Sequence, residues 1–135
     1  RVHRLAAWLT DELTVVYERY GLGEGEFDVL AALRRAGHPF ERAPGELADH
    51  TMVTTGAMTK RIDRLVARGL VERREVEQDG RRRIVALTLA GRELIDAAFT
   101  EHMRNERRLV DELDADDQAA LEAILTRWLA AGPTR

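Results

Sequence analysis

The chain has 135 residues, 44% of them hydrophobic and 33% charged, with a net charge of −3 and no cysteine. This composition is typical of one folded domain, and the absence of cysteine excludes disulfides and thiolate metal sites. No apolar run reaches the roughly 18 residues of a transmembrane helix, and residues 1–4 lack the apolar stretch of a signal peptide, so we expect a cytoplasmic protein with no membrane partner.

Two helices are predicted in the first third of the chain. Apolar residues recur every three or four positions over residues 2–20, which indicates a helix that the glycines of 21–25 end. A second helix is predicted over about 26–36, because Gly37 suits its C-terminus and Pro39 blocks its continuation.

The next segment has the signals of a helix-turn-helix. Residues 38–44 are predicted to be a loop, and a short helix follows over 44–50 with a proline in its first turn. After a tight turn, Thr54 or Thr55 caps a helix that runs to about residue 68 and ends at Gly69.

A β hairpin and two more helices complete the predicted order. Residues 70–76 and 83–89 resemble strands because they are rich in Val, Leu and Ile, and Gln78-Asp79-Gly80 supplies the turn between them. A long helix is predicted over about 90–113, and the acidic residues of 114–117 favour the N-terminus of a last helix.

This order predicts a mainly α fold with a small β hairpin. The winged helix-turn-helix occupies about 26–89 of a single domain spanning 1–135, and helices over about 1–20 and 90–132 flank it. The apolar stripes of the flanking helices exceed what a small winged-helix core covers, so we expect a homodimer. The alternative is a monomer whose terminal helices fold back on their own core.

The basic residues are concentrated in the central part of the chain. Residues 54–83 hold nine Lys and Arg against five acidic residues, whereas the remainder holds 12 against 19. A basic segment on an acidic body makes a local surface for phosphates that the net charge hides.

The helix after Thr54 has the features of a recognition helix. Its core face is predicted to hold Met58, Ile62, Leu65 and Val66, whereas its outer face is small and polar. Small residues permit entry into the major groove, and Lys and Arg bind bases or phosphates there. The alternative is a solvated charged face.

The predicted hairpin tip adds three consecutive arginines after Asp79-Gly80, and Asp79 is placed to hold Arg81 by an ion pair. Arginine inserts readily into the negative potential of a narrow minor groove. The alternative is an exposed turn with charges that prevent edge pairing. Together, helix and hairpin predict eight DNA-binding residues. These are Thr54, Thr55, Gly56, Thr59, Lys60, Arg64, Arg81 and Arg82.

These segments resemble the multiple antibiotic resistance regulator (MarR) family. The stretch 79–92 is similar to the family's wing and the start of its next helix, with Asp-x-Arg, Leu-Thr and Gly in order. Segments 44–48 and 56–65 are similar to its two helix-turn-helix helices, and 69–73 to the link into the wing. The resemblance implies a dimeric, ligand-responsive transcription regulator, usually a repressor, that binds a palindromic operator in double-stranded DNA.

Within the family, segments 25–30, 59–65 and 105–109 are most similar to the urate-responsive PecS/MftR group. The resemblance implies that Asp28, Arg61 and Arg73 bind the effector, a small aromatic anion such as urate. Arg61 lies at the edge of the core face of its helix, so it is able to point away from DNA. The alternative is a structural ion pair between Asp28 and either arginine.

Other functions have weaker support in the sequence. We find no Ser/His/Asp arrangement and no phosphate-cradling glycine loop, so we expect neither an enzyme nor a cofactor. No histidine pair has helical metal spacing; His102 and Glu106, four apart, leave a minor zinc alternative, and we expect no metal site. A helical dimeric protein-interaction adaptor with an idle winged helix is the alternative function.

Overall fold

The computed structural model describes residues 1–76 and 82–132, and only the backbone of Val76. Within them the chain forms six helices and three strands. In chain order they are α1 (Val2–Arg19), α2 (Glu24–Arg35), β1 (Glu41–Arg42), α3 (Pro44–His50), α4 (Thr55–Ala67), β2 (Val71–Val76), β3 (Arg82–Leu87), α5 (Leu89–Val110) and α6 (Ala115–Ala130).

Local capping interactions determine where several helices begin. Thr54 caps α4, because its hydroxyl accepts a hydrogen bond from the backbone N–H of Ala57 at 3.2 Å. Asp114 caps α6 in the same way, accepting from the N–H of Asp117 at 2.8 Å. The side chain of Glu46 reaches back to the N–H of Ala43 at 2.9 Å at the start of α3.

The three strands form an antiparallel sheet in the order β1-β3-β2. β2 pairs with β3 from Val71 opposite Leu87 to Val76 opposite Arg82. The prediction of a loop throughout 38–44 was wrong for Glu41, which pairs with Ala86 of β3, and for Arg42, which pairs with Val85.

Three predicted boundaries were also wrong by two or three residues. The second hairpin strand ends at Leu87 instead of 89, because the hydroxyl of Thr88 accepts from the N–H of Gly91 at 3.0 Å and caps α5. α2 begins at Glu24 instead of 26, and α5 ends at Val110 instead of 113.

One core joins the helix-turn-helix to the sheet and to α5. Its fully buried side chains come from α2, α3, α4, β3 and α5. They include Leu30, Leu33, Leu47, Met58, Ile62, Leu65, Val85 and Ile95. Val66, which was predicted to join this core, is 36% exposed, so that prediction was wrong. The core fixes α4 by one face and leaves its opposite face toward solvent.

The terminal helices differ in how much they bury. α1 packs against α5 and buries Val16 and Tyr17, whereas α6 buries no residue at all. The single chain therefore does not cover α6, in contrast to the predicted monomeric alternative. None of the helices described between residues 1 and 132 is long and apolar enough to span a bilayer.

Candidate nucleic-acid interface

The first half of α4 presents an exposed, small and polar surface. Thr54, Thr55, Gly56, Thr59 and Lys60 are all exposed. A Cβ added at Gly56 would meet no atom within 4 Å, so the protein leaves open space there. The hydroxyl of Thr59 donates to the carbonyl of Thr55 at 2.9 Å and keeps acceptor capacity for a further partner.

Lys60 and Arg64, the two cations predicted to contact DNA from α4, have different surroundings. Lys60 forms no ion pair with the residues that the structure describes. Arg64 donates from Nε to Oε1 of Glu26 on α2 at 2.7 Å. Arg64 therefore lies at the edge of the exposed surface with its guanidinium directed to α2.

Arg64 belongs to a row of three arginines, which we call the arginine stripe: Arg61 and Arg64 on α4, and Arg68 at its C-cap. Arg68 donates to the carbonyls of Gly21 at 2.5 Å and Tyr20 at 3.1 Å, just after α1 ends. The guanidinium of Arg61 packs so closely on Gly25 that an added Cβ would lie 2.4 Å from its Cζ. Their spacings of three and four place the arginines on one helical face. Arg64 was predicted to bind DNA and Arg61 to bind the effector, whereas Arg68 was missed although its spacing is present in the sequence.

The wing, which is the hairpin of β2 and β3, carries cations that acidic neighbours partly neutralise. Arg82 is exposed and approaches Glu46 of α3 at 3.5 Å. Arg74 pairs with Glu72, and Arg73 donates to Asp63 of α4 at 2.5 Å. Arg81 and Asp79, which were predicted to act at the hairpin tip, lie outside the described residues.

The predicted effector residues are divided between two places. Asp28 lines a cleft of about 500 Å³ between α1, α2, α5 and the α3–α4 turn, whereas Arg73 is held by Asp63. Burial raises the pKa of Asp28, the Glu24 charge adds to this, and the Arg61 charge opposes it. Nη1 of Arg61 is buried without a hydrogen-bond partner among the described residues.

Other walls of the cleft supply aromatic and cationic groups. Tyr17, Phe99 and His102 line one side, and Arg35 and Arg42 lie at others. The Tyr17 hydroxyl lies 3.3 Å from Nδ1 of His102, and burial raises the pKa of Tyr17 to about 12, helped by the Asp28 charge.

Nε2 of His102 lies 3.4 Å from Glu106, the residue with which it was considered as a zinc site. Among the described residues, no group of three or more His, Asp or Glu side chains is placed to hold a metal ion. The pair therefore gains no third protein ligand within that part of the chain.

Comparison with known proteins assigns the chain to a family. A family model described as the MarR family matches residues 20–82. The HTH-type transcriptional regulator PecS of Dickeya dadantii is 33% identical over 124 residues, which cover 92% of this chain and 75% of PecS. The chain belongs to the MarR family. The multiple antibiotic resistance protein MarR of Escherichia coli K12 is 34% identical over 110 residues, covering 77% of this MarR-family chain and 71% of that protein.

Solved structures of the family share the fold. A cysteine-to-serine variant of E. coli MarR complexed with operator DNA superposes with a TM-score of 0.82 at 29% identity, covering 95% of this chain and 90% of that one. A MarR family transcriptional regulator from Streptomyces coelicolor gives a TM-score of 0.80 at 26% identity, covering 96% and 89%. The predicted winged helix-turn-helix of a MarR-family transcription regulator is thus confirmed.

Proposed function

We propose that this MarR-family regulator is a homodimeric repressor that binds a palindromic operator and leaves it when a small aromatic anion such as urate binds. The observation that carries the DNA-binding part is the exposed, small and polar first half of α4. The E. coli relative that was solved with operator DNA has the same fold over 95% of this chain, which supports this use of the surface.

In the proposed complex, the N-terminal half of α4 enters the major groove. Thr54, Thr55, Gly56 and Thr59 allow a close approach, Lys60 binds a base edge or phosphate, and Arg64 lies at the edge of the contact. Arg82 of β3, and Arg81 of the hairpin tip predicted from the sequence, contact the neighbouring backbone and minor groove.

The proposed homodimer would cover the apolar surface of the terminal helices. On α6, Trp128 is 61% exposed and Leu129 is 80% exposed, and on α1 Leu5 and Trp8 are also exposed. Apolar surface on this scale is typical of an interface, and a second copy brings matching helices to it. Two-fold symmetry then presents two recognition helices to the two halves of a palindrome.

For the effector we propose the cleft that Asp28 lines. A flat anion would stack on Tyr17 or Phe99 and pair with Arg35, and Arg61 would approach it from α4. Arg73 takes part only if it exchanges Asp63 for the effector. The ligand would act by binding one arrangement of α4 better than another, because only a difference in affinity shifts such an equilibrium.

The test is fluorescence anisotropy of the purified protein with labelled DNA from its own upstream region, across a salt series, with and without urate. We expect tight, salt-dependent binding that Lys60→Ala and Arg82→Ala weaken. Arg104→Ala removes one cation from α5 and serves as the control for net charge.

Each outcome separates the parts of the proposal. Weaker binding in the presence of urate supports the complete proposal, whereas binding that ignores urate supports the regulator and refutes urate as its effector. Binding that no α4 or wing variant weakens refutes the assigned surface. The lack of any preference over competitor DNA contradicts the proposal and favours the protein-interaction adaptor.

A further inference from the structure

The Glu26–Arg64 ion pair joins the recognition helix to the start of α2, at the edge of the proposed DNA surface. Glu26 is well enclosed, with 12% of its side chain exposed, whereas 59% of the Arg64 side chain is exposed. In the proposed complex, an exposed arginine at this edge would be within reach of a DNA phosphate, so Glu26 and the phosphate would compete for the same cation.

Glu26 is held in place by a second contact. Its Oε2 accepts a hydrogen bond from the N–H of Gly23 at 3.3 Å, as the reciprocal half of a capping interaction at the start of α2. The helix N-terminus also favours the charged carboxylate. Little freedom is therefore lost when Glu26 binds Arg64, which makes this pair more persistent than an ordinary surface pair.

The neighbours of Arg64 in the arginine stripe keep it close to Glu26. Arg61 packs on Gly25, and Arg68 binds the carbonyls of Tyr20 and Gly21. α4 is thus attached at three successive positions to the corner between α1 and α2. These attachments and the buried face of α4 together hold Arg64 toward Glu26, while Gly56 has open space around it.

We propose that Glu26 is a positioning residue that limits the affinity for DNA backbone by withholding Arg64 from phosphates. This inference rests on the proposed DNA-binding function. Because phosphate contacts carry no sequence information, a released Arg64 would strengthen binding to unrelated DNA as much as binding to the operator. Glu26 therefore lowers the affinity for every DNA site and leaves the ratio of operator affinity to nonspecific affinity unchanged.

The test uses Glu26→Gln, Arg64→Gln and the double variant, with affinity for operator and unrelated DNA measured across a salt series. Glutamine retains the ability to cap α2, and thermal unfolding verifies that each variant is folded. In Glu26→Gln we expect the slope of log affinity against log salt to steepen by about 0.9 per half-site. At 0.1 M salt this corresponds to up to about 8-fold tighter binding for each half-site.

The decisive comparison is the same substitution made in the Arg64→Gln background. We expect Glu26→Gln to leave the slope of that variant unchanged, because no cation remains to be released. An unchanged slope in Glu26→Gln alone overturns the inference. The same steepening in both backgrounds also overturns it, since removal of an acidic charge would then explain the effect. If the wild-type chain does not bind DNA with salt dependence, the proposed function fails first, and this inference fails with it.

Discussion

Replacement of Gly56 by alanine separates stability from DNA binding. Gly56 is the second residue of α4, and an added Cβ meets no atom within 4 Å in the free protein. Alanine favours a helix interior over glycine by up to about 1 kcal/mol, and near a helix start we expect roughly half of that. Gly56→Ala should therefore raise the unfolding temperature by about 1–3 °C.

The same substitution should weaken operator binding. If α4 approaches the base edges as proposed, a methyl group at Gly56 occupies space that DNA needs, and a loss of about 1–3 kcal/mol follows, roughly 5- to 150-fold in affinity. The salt slope should stay unchanged because no charge is altered.

Thermal unfolding and fluorescence anisotropy with operator DNA measure the two effects of Gly56→Ala. Gly45→Ala is the matched control, since Gly45 is also the second residue of its helix with open space around it. We expect the control to gain similar stability and to lose less affinity. A stabilised Gly56→Ala protein with unchanged operator affinity would refute close insertion of α4.

Three further predictions concern stability. Gly91→Ala should lower the free energy of unfolding in urea by about 3 kcal/mol, because the added Cβ would lie 1.9 Å from the carbonyl oxygen of Leu70. A decrease of less than about 1 kcal/mol would contradict this close packing. Because the pKa of Asp28 is raised, its charged form lowers the stability of the fold above the ordinary aspartate pKa of about 3.9. Asp28→Asn should therefore unfold at a higher temperature than the wild type at pH 7, and this gain should disappear below pH 4. Equal gains at both pH values would exclude burial of the charge as the cause. The pKa of Tyr17 is raised to about 12, so the unfolded state ionises at a lower pH than the folded state. The wild type should therefore lose stability between pH 10 and 12 more steeply than Tyr17→Phe. An unfolding temperature that falls equally with pH in both proteins would argue against this.

The sequence determined the order and most boundaries of the helices. Thr54 caps α4 and Asp114 caps α6 through backbone N–H groups three residues away, and Pro44 begins α3. Such signals are readable in one dimension because a cap and its partner lie within one helical turn. The alternation of apolar and polar residues likewise predicted β2 and β3.

Tertiary structure decided which strands and charges pair. β1 has only two residues and exists because β3 offers an edge more than 40 residues away, which no local pattern encodes. Arg64 was predicted to face DNA on the basis of helical periodicity, and the chain fold brings Glu26 to it from 38 positions away. Arg73 likewise binds Asp63, although the family resemblance assigned it to the effector.

The apolar pattern of α6 shows the same division between local and tertiary information. Its sequence predicted a helix with apolar residues, and the structure contains that helix, with Trp128 and Leu129 exposed. Whether an apolar face joins the core or remains on the surface depends on which elements the rest of the fold brings against it. Periodicity follows from neighbours along the chain and is present in the sequence, whereas contacts between distant segments follow from the packing of the whole core and are seen only in the tertiary structure.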